Sequence, residues 1–277
     1  MAQLSAEVSV QEICDFLGRH APLSLAEEWD NVGLLVGDPA SSVQRLMTCL
    51  TLTPASVDEA VRCEAQLLVT HHPLPFRPFK QLTTATVAGQ LLLRIVRAGM
   101  AVYSAHTAYD SAEAGINQRL AEGCQLQDIQ PLVPAAQVPE LGSGRWGRLP
   151  VPAPLSVVTE RVALWLGTTG LARVGRADQE IRAVAVACGS AGQFLSAARR
   201  AGCDLLITGE TNFHTCLEAE AIGMGLLLTG HFASERFGME QLAGVLAAAF
   251  PQLTVWASRD ERDPLEWIAA EGGATRH

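Results

Sequence analysis

The sequence predicts an α/β protein built from two similar halves, and three observations carry that expectation. Short apolar runs alternate with amphipathic stretches along the whole chain, the pattern of strands exchanged with helices. The second half echoes the first. Ala65-Gln-Leu-Leu-Val-Thr70 matches Cys203-Asp-Leu-Leu-Ile-Thr208, and the strand leading to His106 matches the strand leading to His231. Finally, both copies place a carboxylate four residues after that histidine, Asp110 in the first and Glu235 in the second. The simplest arrangement is two α/β halves, residues 1–128 and 129–277, facing each other across a cleft. The C-terminal tail is expected to pack back on the first half.

Each element has its own warrant. Val10, Ile13, Cys14 and Leu17 form a helical stripe over residues 8–17, with Gly18 as its stop. Leu34, Leu35 and Val36, bounded by Gly33 and Gly37, read as a short strand. Before it stands Glu27-Glu28-Trp29-Asp30-Asn31, where Asp30 and Asn31 either line a site or make a turn. Leu46 to Leu52 is a strand. Thr53 then caps a helix with Pro54 at its first position. Leu67 to Thr70 is a strand that ends in His71-His72-Pro73, and Pro73 forbids a helix there. Val87 to Ala98 is an amphipathic helix capped by Gly99. Met100 to Ala105 is a strand delivering His106, and a helix begins at Ile116.

Between Gln130 and Pro154 six prolines and three glycines interrupt the pattern. This segment is a linker or a pair of irregular strands, Val133–Leu141 and Arg145–Leu149. Helix Ser156–Leu166, strand Ile181–Cys188, turn Gly189–Gly192, helix Gln193–Arg200 and strand Cys203–Thr208 follow. Residues Gly209 to His214 form a loop and Thr215–Gly223 a short helix. Leu226–Thr229 is a strand leading to His231. A helix over Arg236–Phe250 is stopped by Pro251, and Leu253–Ala257 is a last strand. The tail after Arg259 is expected to be an edge element with a frayed end.

Composition narrows the function classes. A chain of 277 residues with 48% hydrophobic content can bury a sizeable core. A net charge of -9 argues against a protein that coats nucleic acid. The seven cysteines include no C-x-x-C pair, which suits buried thiols in a reducing cytoplasm. The N-terminus has no signal-peptide pattern, and no apolar run approaches the ~18 residues of a membrane span.

The chemistry gathers at the predicted strand ends: His71, His72, His106, Asp110, Glu210, His214, His231 and Glu235. Imidazoles mixed with carboxylates suit Zn, Fe, Mn or Ni rather than Ca or Mg alone. A carboxylate can bridge two ions, so this set is enough for two metals about 3.5–4 Å apart with positions open to water. His106 and Glu210 are candidates for proton transfer. Walker, G-x-S-x-G and dinucleotide fingerprints are missing from the sequence. The Gly189-Ser-Ala-Gly192 turn either seats an anion on its N–H groups or is a plain tight turn.

Four segments in this order carry a family resemblance: Trp29-Asp-Asn-Val-Gly-Leu-Leu-Val-Gly37, Thr70-His-His-Pro-Leu74, Ser104-Ala-His-Thr-Ala-Tyr-Asp110 and Gly230-His-Phe-Ala-Ser-Glu235. With them the chain resembles, over nearly its whole length, the Nif-three-like family, also called GTP cyclohydrolase I type 2 homologues. The resemblance implies a dinuclear metal centre between two α/β domains. It implies His71 and His231 on one metal, His72 and Asp110 on the other, Glu235 bridging them, and His106 lining the site. It also implies a toroidal homohexamer. The segment after Asp128 leaves no room for the ferredoxin-like insertion that many members carry, so functions of that insertion do not transfer.

Two functions are weighed. The first is a metal-dependent hydrolase acting on a nucleotide-like or heterocyclic small molecule. The second is a hexameric metal-binding scaffold, chaperone or regulator that performs no chemistry. The ligand set favours the first, because five protein groups for two ions leave coordination positions open, whereas a structural site is closed.

Overall fold

The computed structural model describes residues 7–168 and 170–266. The end of the tail expected to fray lies outside them. The chain begins with β1 (Val8–Ser9) and α1 (Val10–His20). Ser9 and Glu12 close a capping box: the Glu12 amide donates to Ser9 Oγ at 3.3 Å and the Ser9 amide to Glu12 Oε2 at 2.7 Å. Val10, Ile13 and Leu17 are buried as the stripe requires. The helix runs through Gly18 instead of stopping there. A solvent-facing glycine costs a helix only about 1 kcal/mol, less than the burial of that stripe supplies.

Then come β2 (Gly33–Val36), β3 (Ser42–Val43), β4 (Arg45–Cys49), α2 (Pro54–Arg62), β5 (Leu67–Thr70), α3 (Val87–Arg97), β6 (Ala101–Ser104), α4 (His106–Ser111) and α5 (Ile116–Gly123). They are followed by β7 (Gln127–Pro134), β8 (Gly142–Pro154), α6 (Leu155–Leu166), β9 (Ala172–Val174), β10 (Glu180–Ser190), α7 (Leu195–Arg200), β11 (Leu205–Glu210), α8 (Phe213–Ala221), β12 (Gly225–Leu228), α9 (His231–Ala249) and β13 (Thr254–Ala257).

These strands form two mixed sheets and a small β1–β3 ribbon. One sheet has the order β13-β4-β5-β6-β2 and is parallel except for β2. The other has the order β7-β8-β10-β11-β12-β9, with β10, β11 and β12 parallel at its centre. The last strand, β13, crosses back to pair with β4, so the chain closes on its first sheet. The Pro/Gly-rich segment is an antiparallel β7–β8 hairpin rather than a linker. Its prolines are tolerated because β7 is an edge strand and the β8 prolines lie beyond a register shift against β10.

Helix α9 lies between the sheets, and α5 packs on β8, β10 and α9. Helix α9 packs on β4 and β13 on one side and on β10 and β11 on the other. A single buried cluster runs through Leu46, Leu67, Tyr103, Ile116, Leu120, Val186, Ile207, Leu227 and Leu246. Polar links cross it: Thr48 Oγ1 donates to the Met239 carbonyl at 2.8 Å, and Tyr109 Oη to that of Gly238 at 3.2 Å. Arg145, wholly buried, donates to the carbonyls of Gly142, Gly144, Ser111 and Ala112 and to the Gln118 side chain. That cation therefore joins β8 to the carbonyl end of α4.

Two helix starts differ from the sequence expectation, and both matter for the site. Helix α9 begins at His231, not at Arg236, and His106 opens the helix α4. In each case the chain turns from strand into helix within two residues. Gly230, at φ +88°, makes the second turn without a side-chain penalty. Each His-x-x-x-carboxylate pair thus spans one helical turn and shares one face.

Candidate metal centre

His71 and His72 leave β5 still in its ladder, their amides donating to the Cys49 and Leu50 carbonyls at 3.1 and 2.9 Å. Successive side chains of an extended segment point apart. His71 turns inward, its side chain fully buried. His72 turns toward the opening, 26% exposed. Helix α4 brings Asp110 to the inner position, with Oδ1 3.6 Å from His71 Nε2. Helix α9 brings His231 to the outer position, with Nε2 3.3 Å from His72 Nε2. Glu235 stands between them. Its Oε1 is 3.7 Å from His71 Nε2, and its Oε2 is 3.1 Å from both His72 Nε2 and His231 Nε2.

The residues therefore group as His71 with Asp110 and His72 with His231. The resemblance implied the other division, His71 with His231 and His72 with Asp110. The reason is directional: the inward histidine faces α4, and the outward one faces α9.

Three of the four histidines are oriented by their second nitrogen. His72 Nδ1 meets Thr51 Oγ1 at 2.6 Å, His106 Nδ1 meets Asp30 Oδ1 at 2.7 Å, and His231 Nδ1 meets Glu210 Oε1 at 2.9 Å. Such outer partners fix ring direction and leave Nε2 free for a cation or a proton. Glu210, a candidate for proton transfer in the sequence, thus sits behind His231 on the side away from Glu235. His106 carries its backbone at φ +34°. Asp30 holds it there, accepting from the Thr107 amide at 3.1 Å and from Thr107 Oγ1 as well. Of the two residues read as either turn or site lining, Asp30 closes a turn, its amide donating to the Glu27 carbonyl at 3.0 Å, and supports the site from behind His106, while Asn31 follows the turn and donates to the Pro75 carbonyl.

Other placements could not be read from spacing. His214 lies apart, exposed on α8 against Phe213. Cys188, which looked like a core thiol, donates to Asp110 Oδ1 at 3.1 Å. Gly189, at φ +65°, packs so tightly that a Cβ there would fall 2.2 Å from Glu235 Oε1. Its amide donates to Ser234 Oγ at 2.9 Å and that of Ala191 to Thr208 Oγ1 at 3.3 Å, so two of the four amides of the Gly189–Gly192 turn are spent internally. The glycine pair in the sequence was the one signal of this close approach.

The charges are mutually tuned. Burial works to raise Glu235, but the histidines around it, His71 foremost, hold its carboxyl well below the ordinary range. Burial raises Asp110. Burial opposes charge on His71, yet Asp110 and Glu235 raise it. Burial lowers His72. The bond to Glu235 lifts His231 to about 9. Asp30 is held at about 2, burial being outweighed by the bonds from His106 and Thr107. Burial drives the Cys188 thiol well above its ordinary value, which keeps it a donor.

The donor set fits a cation. His71 Nδ1 and Nε2 are buried without a hydrogen-bond partner, an omission that costs about 1–3 kcal/mol for such a group unless something satisfies it. His72, His231 and Glu235 each offer a ligand atom within 4.8 Å of the others, as do His71, His72 and His106. The group opens on a cleft of about 640 Å³, between the ends of β5 and β10, whose walls include Trp29, Phe76, Cys188 and Phe194.

Fold and site together define an α/β protein of two mixed sheets with a His/carboxylate cluster able to hold metal at its centre. The chain belongs to the Duf34/NIF3 (NGG1p interacting factor 3) family, whose profile matches residues 8–264. It is 33% identical over 269 residues to a GTP cyclohydrolase 1 type 2 homolog of Streptomyces coelicolor, covering 94% of each chain. It is 33% identical over 229 residues to a protein of the same description in Clostridium acetobutylicum, covering 82% of this chain and 85% of that one. A NIF3-like protein 1 of Drosophila melanogaster is 31% identical, with 92% and 88% covered. Among solved structures, a Bacillus cereus protein related to NIF3 superposes with a TM-score of 0.88 at 22% identity, over 95% of this chain and 100% of the other. At that identity the superposition speaks for the fold.

Proposed function

We propose that the protein is a dinuclear-metal-dependent hydrolase acting on a nucleotide-like or heterocyclic small molecule. One observation carries the reading: the two oxygens of the buried Glu235 face different histidine groups, Oε1 toward His71 and Oε2 toward His72 and His231. In this reading His71, Asp110 and Glu235 would hold one divalent ion, Zn, Fe, Mn or Ni, and His72, His231 and Glu235 the other. Such a pair of ions would supply an acidified water and a Lewis acid for a substrate oxygen.

The chain supplies the rest. Glu210 and Thr51 aim His231 and His72. Cys188 fixes one oxygen of Asp110. His106, its Nδ1 committed to Asp30, presents Nε2 as the site where a proton is taken up or delivered. The relatives' description as GTP cyclohydrolase 1 type 2 homologs supports the substrate class. The two-half organisation with its internal repeat, a ring-shaped homohexamer and a cytoplasmic setting belong to the same proposal. An apolar patch of Val151, Leu164 and Trp165, 69%, 86% and 38% exposed, supports self-association. Among the described residues no helix is long and apolar enough to cross a membrane.

The test is metal analysis of protein purified without oxygen, then a turnover screen of nucleotides and pterins with that metal. Glu235→Ala should abolish metal and turnover while the oligomer survives. Well-folded protein that takes up no metal sinks the reading. Metal uptake without turnover of any substrate, with a partner co-purifying, favours the scaffold.

A further inference from the structure

The cleft beside the cluster holds a feature that metal ligation leaves unused. Trp29 is 61% exposed and Phe76 46% exposed, although both are large apolar rings on a cleft wall. Their centroids lie 5.9 Å apart with planes at 53°. His106 stands edge-on to both, at 5.9 Å and 78° to Trp29 and at 6.1 Å and 80° to Phe76. The three rings form an open corner.

The corner is held from behind. The Glu27 amide donates to Thr107 Oγ1 at 3.0 Å, Asp30 grips His106 and Thr107, and Asn31 Nδ2 donates to the Pro75 carbonyl at 2.7 Å. Trp29 is thus the free ring of a segment pinned on both sides, and Asn31 ties that segment to the one carrying Phe76. An exposed apolar surface fixed in one conformation is prepared for a ligand, because little ordering entropy is left to lose on binding.

We infer that Trp29 and Phe76 form a stacking subsite for a flat aromatic heterocycle, with one polar edge of the ring system turned toward the histidine–carboxylate cluster. The inference deepens the hydrolase reading and takes its cleft from it. A flat ring laid on the Trp29 face would meet Phe76 at a tilt of about 53° and His106 nearly edge-on at about 78°, and edge-on contact is a geometry aromatic pairs prefer.

The test is equilibrium binding to zinc-loaded full-length protein, followed by quenching of tryptophan fluorescence and by calorimetry. The probes are guanosine and pterin, and both should quench the wild type. Trp29→Ala should remove the quenching and weaken guanosine roughly tenfold or more, as loss of a stacked aromatic does. Trp29→Phe should lose the fluorescence signal but keep most of the affinity by calorimetry. Equal affinity in the wild type and Trp29→Ala, with metal content and melting unchanged, overturns the inference. Binding is read without turnover, so a clamp that binds but is followed by no reaction would count against the hydrolase reading alone.

Discussion

Replacing Gly189 with alanine tests the site without touching any residue that would hold metal. The backbone there sits at φ +65°, where an alanine costs about 1–2 kcal/mol. The added Cβ would lie 2.2 Å from Glu235 Oε1 and 3.4 Å from His231 Nε2. Contact between such atoms is comfortable only near 3.5 Å or beyond, so the carboxylate must retreat by roughly 1 Å. Glu235 is 3% exposed and hemmed in by three histidines, so it moves only by giving up its central position. Metal sites tolerate displacements of about 0.2 Å. Gly189→Ala should therefore lose one or both metals while losing only about 2 kcal/mol of stability, roughly 4–8 °C in Tm. Metal stoichiometry by mass spectrometry and a thermal melt of metal-free protein read the two effects separately. A variant that melts a few degrees lower yet binds two metals with wild-type affinity would refute a bridging Glu235. Gly99→Ala is the control, because it has φ +68° and open space around its Cβ, so it carries the backbone cost alone.

Three further outcomes follow from the same contacts. His231 is lifted to about 9 in the metal-free protein, so it is charged at neutrality and must shed its proton to receive a cation. Affinity should rise with pH by at least about tenfold per unit below about 9, His231 shedding one proton and His71, also raised, adding to the slope, with proton release visible as buffer-dependent calorimetric heat; a flat profile between pH 6 and 8 would contradict it. Thr51→Val should weaken metal binding at the His72 position by about 10–100-fold, with Thr51→Ser restoring it, because the hydroxyl on His72 Nδ1 sets the ring's direction. Cobalt absorption spectra would report the change, and equal affinity in all three proteins would rule that role out. Arg145→Met should cost about 3 kcal/mol, since four carbonyls lose a buried donor; chemical denaturation measures it, and a loss under 1 kcal/mol would show that water replaces the guanidinium.

How much could be read in advance depended on the range of the interaction. The strand ending in His71-His72 was legible because an apolar run followed by Pro73 is local chemistry. The hairpin at residues 127–154 was ambiguous because prolines forbid a central strand but not an edge, and edge position is a property of the whole sheet. The start of α9 was misplaced by a turn. Gly230 looks like a loop residue until the preceding strand fixes where the chain must bend.

The same division runs through the site. The kinds of ligand atom, their places at strand ends and the recurrence of His-x-x-x-carboxylate are written in the sequence, because residue type and backbone periodicity are local. Which histidine meets which carboxylate was decided by the fold. His72 and His231 are 159 residues apart and meet only because α9 is packed between two sheets. Asp30 behind His106, Cys188 beside Asp110 and Gly189 under Glu235 have the same origin. No periodicity records them, because each is a contact between side chains that separate elements deliver to one point.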